Sequence, residues 1–250
     1  MWSEQGDPSR STPSGHPGPS NSSAAALLSY DVPHRAPWDW RVSLYTWTKG
    51  IASGTYLVVL LLLLAGAAAS SGPLWRWVAP LVGLGGLLLT GGLLIWDLEH
   101  PERFLLILLR PQWRSWLARG AAILLAFGGL LAVHLLGSAT GVDVLGSLLA
   151  VPGAAVAALA AVYTAYLFGQ AKGRDLWQSP LLPPHLLVHA LIAGSAIALL
   201  SARAVEPAAE IAGRWALGAT SLAHLLLVLG EITFPHTTAH ARLAAWEMTN

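Results

Sequence analysis

Seven side chains able to carry a proton or donate a hydrogen bond stand inside, or at the ends of, long apolar runs in this chain: Tyr45, Lys49, Asp97, Tyr166, His189, His224 and Glu231. Ionisable groups are costly inside a membrane, so each such residue is a functional-site candidate by default. Histidine and aspartate are proton carriers, while lysine and tyrosine supply hydrogen-bond donors. Together they meet the needs of a quinone headgroup, whose carbonyl oxygens require donors and whose reduction requires protons along with electrons. Electrons must then arrive from outside the chain. It contains no cysteine, so it can hold no thiolate-ligated iron–sulfur cluster and form no disulfide.

The elements that would position these residues follow from composition. The 250 residues are 54% hydrophobic and 11% charged, with a mean hydropathy of +0.56, which excludes a soluble globular domain and predicts a polytopic membrane protein. Runs long enough to span a bilayer as helices are expected at about residues 42–69, 74–95, 115–136, 144–168, 181–202 and 211–229. The fold class is therefore an all-α polytopic transmembrane helix bundle of about six spans, occupying residues 37–231. Residues 1–36, rich in Ser, Pro and Gly and lacking an apolar core, read as a disordered polar tail and not as a secretory signal. Residues 232–250 read as a short amphipathic tail.

Within the first span, Gly50-Ile51-Ala52-Ser53-Gly54 places small residues four apart, a pattern that lets a second membrane helix approach closely. Many of the twelve tryptophans fall at the ends of apolar runs, as interfacial belts do. That placement, with a net charge of only +1, gives no reason to expect nucleic acid as a partner.

Six spans put both tails and the loops near residues 97–114 and 170–180 on one side of the membrane. At 1.5 Å per residue, Lys49 lies about 13 Å in from Trp40, His189 about 7 Å in from Pro184 and His224 about 10 Å in from Glu231. With Asp97 they share the half of the bilayer nearest that polar face, and one pocket lined by four helices is expected. His134 falls in the other half. The charged loops, carrying Glu99, His100, Arg103, Gln170, Arg174 and Asp175, would form a dock for the electron-carrying partner.

Other chemistries fit the same residues. His189 and His224 on neighbouring helices could ligate a haem b. Lys49, Asp97, His189, His224 and Glu231 could form the relay of a proton or ion transporter, although only His134 and Asp143 continue it into the far leaflet. A purely structural anchor is a third reading.

Three stretches resemble one family. Asp97-Leu98-Glu99-His100-Pro101-Glu102-Arg103-Phe104 is similar to the Asp-Leu-Gly-Arg-Pro-x-Arg-Phe motif that ends the second span of the NrfD, or polysulfide reductase membrane-subunit, family. Trp47 to Gly54 resembles that family's glycine-rich first-span segment, and Gln170 to Pro180 its Gln-Ala-x-Gly-Arg-Asp-Leu-Trp stretch. The resemblance implies a membrane anchor in the bacterial cytoplasmic (inner) membrane, holding neither haem nor an iron–sulfur cluster itself. Such an anchor binds quinone or quinol (menaquinone or ubiquinone) and exchanges electrons with a ferredoxin-like iron–sulfur subunit, which is coupled to a molybdopterin or multihaem catalytic subunit. Asp97 would be the family's second-span aspartate and Arg103 its docking or structural arginine.

The chain departs from the family in Glu99-His100, which replace Gly-Arg, and in having six expected spans where the family usually has eight. Orientation is read in two ways. Of the thirteen Lys and Arg outside the first span's interior, ten lie on the motif face, which the positive-inside rule assigns to the cytoplasm. The family resemblance implies the outer face.

Overall fold

The structure is a computed structural model, and it describes residues 40–97, 109–170 and 179–233. Among the described residues, six helices are long and apolar enough to cross a membrane. They are α1 (Trp40–Leu64), α2 (Ala79–Asp97), α3 (Trp116–Thr140), α4 (Val144–Gly169), α5 (Leu182–Val205) and α6 (Glu210–Thr233). A π-helical turn, Leu74–Val78, leads into α2, and a 3-10 turn, Pro207–Ala209, leads into α6. No strand occurs among the described residues. The expected all-α bundle is the observed one. The two tails expected at residues 1–36 and 232–250 fall outside the described residues, apart from positions 232 and 233.

Two helix ends differ from expectation for an identifiable reason. The first span was expected to run to residue 69, but α1 stops at Leu64 because Gly66 adopts φ 71°. Its N–H bonds the Leu63 carbonyl and the Ala67 N–H bonds the Leu62 carbonyl, the paired pattern by which a left-handed glycine closes a helix. Hydropathy sees only the small apolar residues beyond it. Conversely, α3 runs on to Thr140, four residues past the expected end, and stops where Gly141 takes φ 76°. There the Val142 N–H reaches back to the Gly137 carbonyl.

Helix α1 is the central element, packing against α2, α4 and α5. Lipid tails are as apolar as leucine, so association inside a bilayer depends on close packing rather than on hydrophobic exclusion. The glycine pattern in α1 serves that need. A Cβ on Gly54 would strike the backbone of Ala190 in α5, and one on Gly194 would strike the backbone of Gly54. On the adjoining side, Gly86 of α2 sits against the Thr48 carbonyl and Ala52. Helix α6 lies outermost, with Gly213 its only fully buried residue.

The half of the bundle away from the motif face is closed by fixed contacts. Tyr56, Trp75, Phe127 and His134 are buried together, with the Trp75 and His134 rings 4.6 Å apart. The Tyr56 hydroxyl donates to the Leu149 carbonyl at 3.2 Å. Arg76 pairs with Asp143 at 3.0 Å and donates to the Ser138 carbonyl at 2.9 Å. Glu206, just past α5, accepts the backbone N–H groups of Ala69 and Leu74 at 2.9 and 3.1 Å, tying down the turn between α1 and α2.

Candidate functional site

Helix α5 begins with Pro183 and Pro184 in its first turn, where the missing N–H groups would have had no helical partner. His185 follows, making the first backbone bond of the helix to the Leu181 carbonyl at 3.0 Å. Four residues on, His189 stands above it on the same side of the helix. On α6, His224 and Glu231 lie seven residues, about two turns, apart and likewise share a side. The α5–α6 packing therefore gathers four polar side chains from two elements.

The ring centroids of His189 and His224 are 4.6 Å apart, those of His185 and His224 5.6 Å, and those of His185 and His189 6.1 Å. One Glu231 carboxylate oxygen lies 3.4 Å from His185 Nε2, and the other accepts the Ser179 hydroxyl at 3.3 Å. The Leu181 N–H in turn donates to the Ser179 oxygen at 3.3 Å. His189 is exposed, while His185, His224 and Glu231 are half-buried. The buried Nδ1 of His224 has no hydrogen-bond partner among the described residues.

Lys49 belongs to a second set. It is 1% exposed, its amine donates to the hydroxyl of Thr164, and that amine lies 4.2 Å from the centroid of the Tyr163 ring, a position that attracts ammonium groups. Thr164 and Tyr163 are both buried in α4, and Gly120 of α3 leaves room for the tyrosine ring. Tyr45, one turn earlier on α1, is buried as well. Thr48 and Thr90 close the other flank of α1 with a 2.8 Å hydrogen bond.

The two sets start at the same depth. Gly50 meets Ala190 across the α1–α5 contact, so Lys49 and His189, the residues before them, leave neighbouring stretches of backbone. They then part, Lys49 toward α4 and His189 toward α6. The single expected pocket is thus two constellations at one level, with the packed pair α1 and α5 between them.

The other expected residues are placed as follows. Asp97 is the last residue of α2, and its side chain lies outside the described residues, as do Glu99, His100, Arg103, Arg174 and Asp175. Gln170 is exposed just beyond α4, with its N–H bonded to the Leu167 carbonyl. Tyr166 stacks on Trp116 at 4.5 Å, with the Arg119 guanidinium 4.8 Å from the Trp116 ring. It joins an aromatic belt at the motif face, where Trp40 also meets Trp96 edge to face at 5.8 Å and Arg41 lies over Trp96. His185 was not singled out from the sequence, although its four-residue spacing from His189 is a readable sign of a shared helix face.

The six apolar helices among the described residues, with ionisable side chains gathered near one face, define a polytopic integral membrane protein. Residues 29–232 match the family described as polysulphide reductase, NrfD, and the chain belongs to that family. It is a membrane subunit of the polysulphide reductase type. No curated protein matches it.

Proposed function

We propose that this chain is the quinone-interacting membrane subunit of a respiratory oxidoreductase complex in the bacterial inner membrane. The observation that carries this reading is the meeting of His189 and His224, 4.6 Å apart, at the motif-face end of α5 and α6, with Glu231 and His185 alongside. His189, exposed on the bundle surface, offers an imidazole to a ligand arriving from the lipid, and His224 supplies a second, its Nδ1 without a partner among the described residues. A quinone bound there would supply the two-electron chemistry. The chain supplies donors to its oxygens and a row of groups able to carry a proton, with Ser179 hydrogen-bonded to Glu231 and Glu231 3.4 Å from His185, that starts at the polar face. Neither Lys49 nor Tyr45 is assigned a direct contact in this reading, because both are sealed between helices.

Electrons come from a docked ferredoxin-like iron–sulfur subunit, itself joined to a molybdopterin or multihaem catalytic subunit. Gln170, exposed at the end of α4, belongs to that docking face. The haem-free reading is supported by the arrangement of the imidazoles, three of which are grouped with ring centroids 4.6 to 6.1 Å apart instead of two facing each other across the thickness of a porphyrin.

A reduced-minus-oxidised visible spectrum of the purified complex, with extraction and identification of bound quinone, tests the proposal. Quinone recovered without a haem b band supports it. A haem b band in a complex with no other haem subunit would overturn it and make His189 and His224 ligands. Asp97→Asn supplies an independent arm, expected to abolish quinone-coupled electron transfer in an assembled complex.

A further inference from the structure

The same end of α5 and α6 carries a second chemistry. The ligand-capable nitrogens of His185, His189 and His224 all lie within 4.8 Å of one another. On a tetrahedron with metal–nitrogen bonds of about 2.0–2.1 Å, ligand nitrogens stand about 3.3 Å apart. Closing that difference takes shifts of about 1.5 Å at the ring tips, within reach of side-chain rotations on fixed helices.

We propose that His185, His189 and His224 form a binding site for one zinc ion, with Glu231 holding His185 from behind. Three neutral imidazoles are the donor set that suits zinc and related borderline-soft cations, in contrast to the oxygen ligands that magnesium and calcium require. The carboxylate behind His185 has the place of the outer-shell partner that orients a metal-binding imidazole. It also places a negative charge near the cation, which offsets part of the cost of moving a divalent ion toward hydrocarbon. Entry is from the aqueous face, since His185 lies in the first turn of α5 and Glu231 in the last turn of α6. The Nδ1 of His224, buried and without a hydrogen-bond partner among the described residues, is a ligand atom still available to a cation.

The site uses the side chains of the quinone reading but does not rest on it. A cation there occupies the nitrogens assigned above to proton transfer, so both readings together make zinc an inhibitor of quinone turnover.

The test uses the intact complex, purified through a tag without histidine and stripped with a chelator. Zinc is titrated by calorimetry and cobalt(II) by visible absorption. One zinc per chain and a tetrahedral cobalt spectrum are expected. The triple variant His185→Ala, His189→Ala, His224→Ala keeps the other six of the nine histidines and defines the background. His189→Ala alone, at an exposed position that leaves the packing intact, should weaken zinc by more than about 100-fold, and Glu231→Gln by about 10- to 100-fold. Zinc binding no tighter in the parent than in the triple variant would overturn the site, as would parental affinity in His189→Ala. Zinc bound at one per chain with quinone turnover undisturbed would leave the metal site standing and remove the quinone reading instead.

Discussion

Lys49 and His189 begin at the same depth on touching helices and end in opposite conditions. Lys49 has one arrangement: its amine is enclosed by α4, donates to Thr164 and lies over Tyr163, with almost none of its surface open. His189 is exposed, and its neighbours His185, His224 and Glu231 are half-buried, with Glu231 3.4 Å from His185 and 3.3 Å from Ser179. A polar group satisfied by fixed partners stabilises one packing of helices and has nothing left to exchange. Groups that are near one another but incompletely paired can accept a ligand, a proton or a cation. An ionisable residue within a span is therefore not by itself a site; its partners decide.

That contrast can be broken or sharpened by substitution. The largest effect is expected from Gly54→Leu, which drives a side chain into the backbone of Ala190 and separates the two helices that carry both sets. The folded bundle should lose at least about 3 kcal/mol, the upper range for overpacking, read as loss of a monodisperse species in detergent. Next comes His189→Ala, expected to lower quinone turnover by at least about 100-fold, or about 2.7 kcal/mol of barrier, with the melting temperature unchanged. Unchanged turnover in an assembled complex would leave the open set without its proposed role.

Lys49→Met should do the reverse. It leaves the Thr164 hydroxyl without its cross-helix partner and should cost about 1–3 kcal/mol of stability, with turnover per folded complex preserved. A fall in turnover at unchanged stability would move Lys49 into the functional set and dissolve the distinction. The smallest effect is expected at the motif-face belt, where Trp96→Ala removes the edge-to-face contact with Trp40 and the cation contact with Arg41. About 0.5–1.5 kcal/mol of stability should be lost there, with no change in turnover.

Much of this molecule is legible in its sequence. The six spans follow from apolar run length, and the close α1–α5 contact from the small residues at Gly50 and Gly54. The level of Lys49 and His189 follows from helical rise alone, since 1.5 Å per residue does not depend on what a helix packs against. The direction in which each side chain leaves its helix does depend on it. Nothing local to Lys49 names Thr164, 115 residues away, as its partner, and so one pocket was expected where two constellations formed. The end of α1 at Leu64 was hidden for another reason: glycine and alanine read alike to hydropathy, and only the left-handed conformation of Gly66 tells them apart. His185 could have been found, because a histidine four residues before another on a helix is visible without any structure.

Glu206 has a consequence for how the protein is made. Its carboxylate serves Ala69 and Leu74, which precede it by 137 and 132 residues, so the hairpin of α1 and α2 is synthesised well before the group that secures its turn. Until the fifth helix is inserted, water at the membrane surface must satisfy those two amides. The hairpin is therefore delivered early and latched late, and chains ending before residue 206 should exchange the Ala69 and Leu74 amide hydrogens faster than the 250-residue chain.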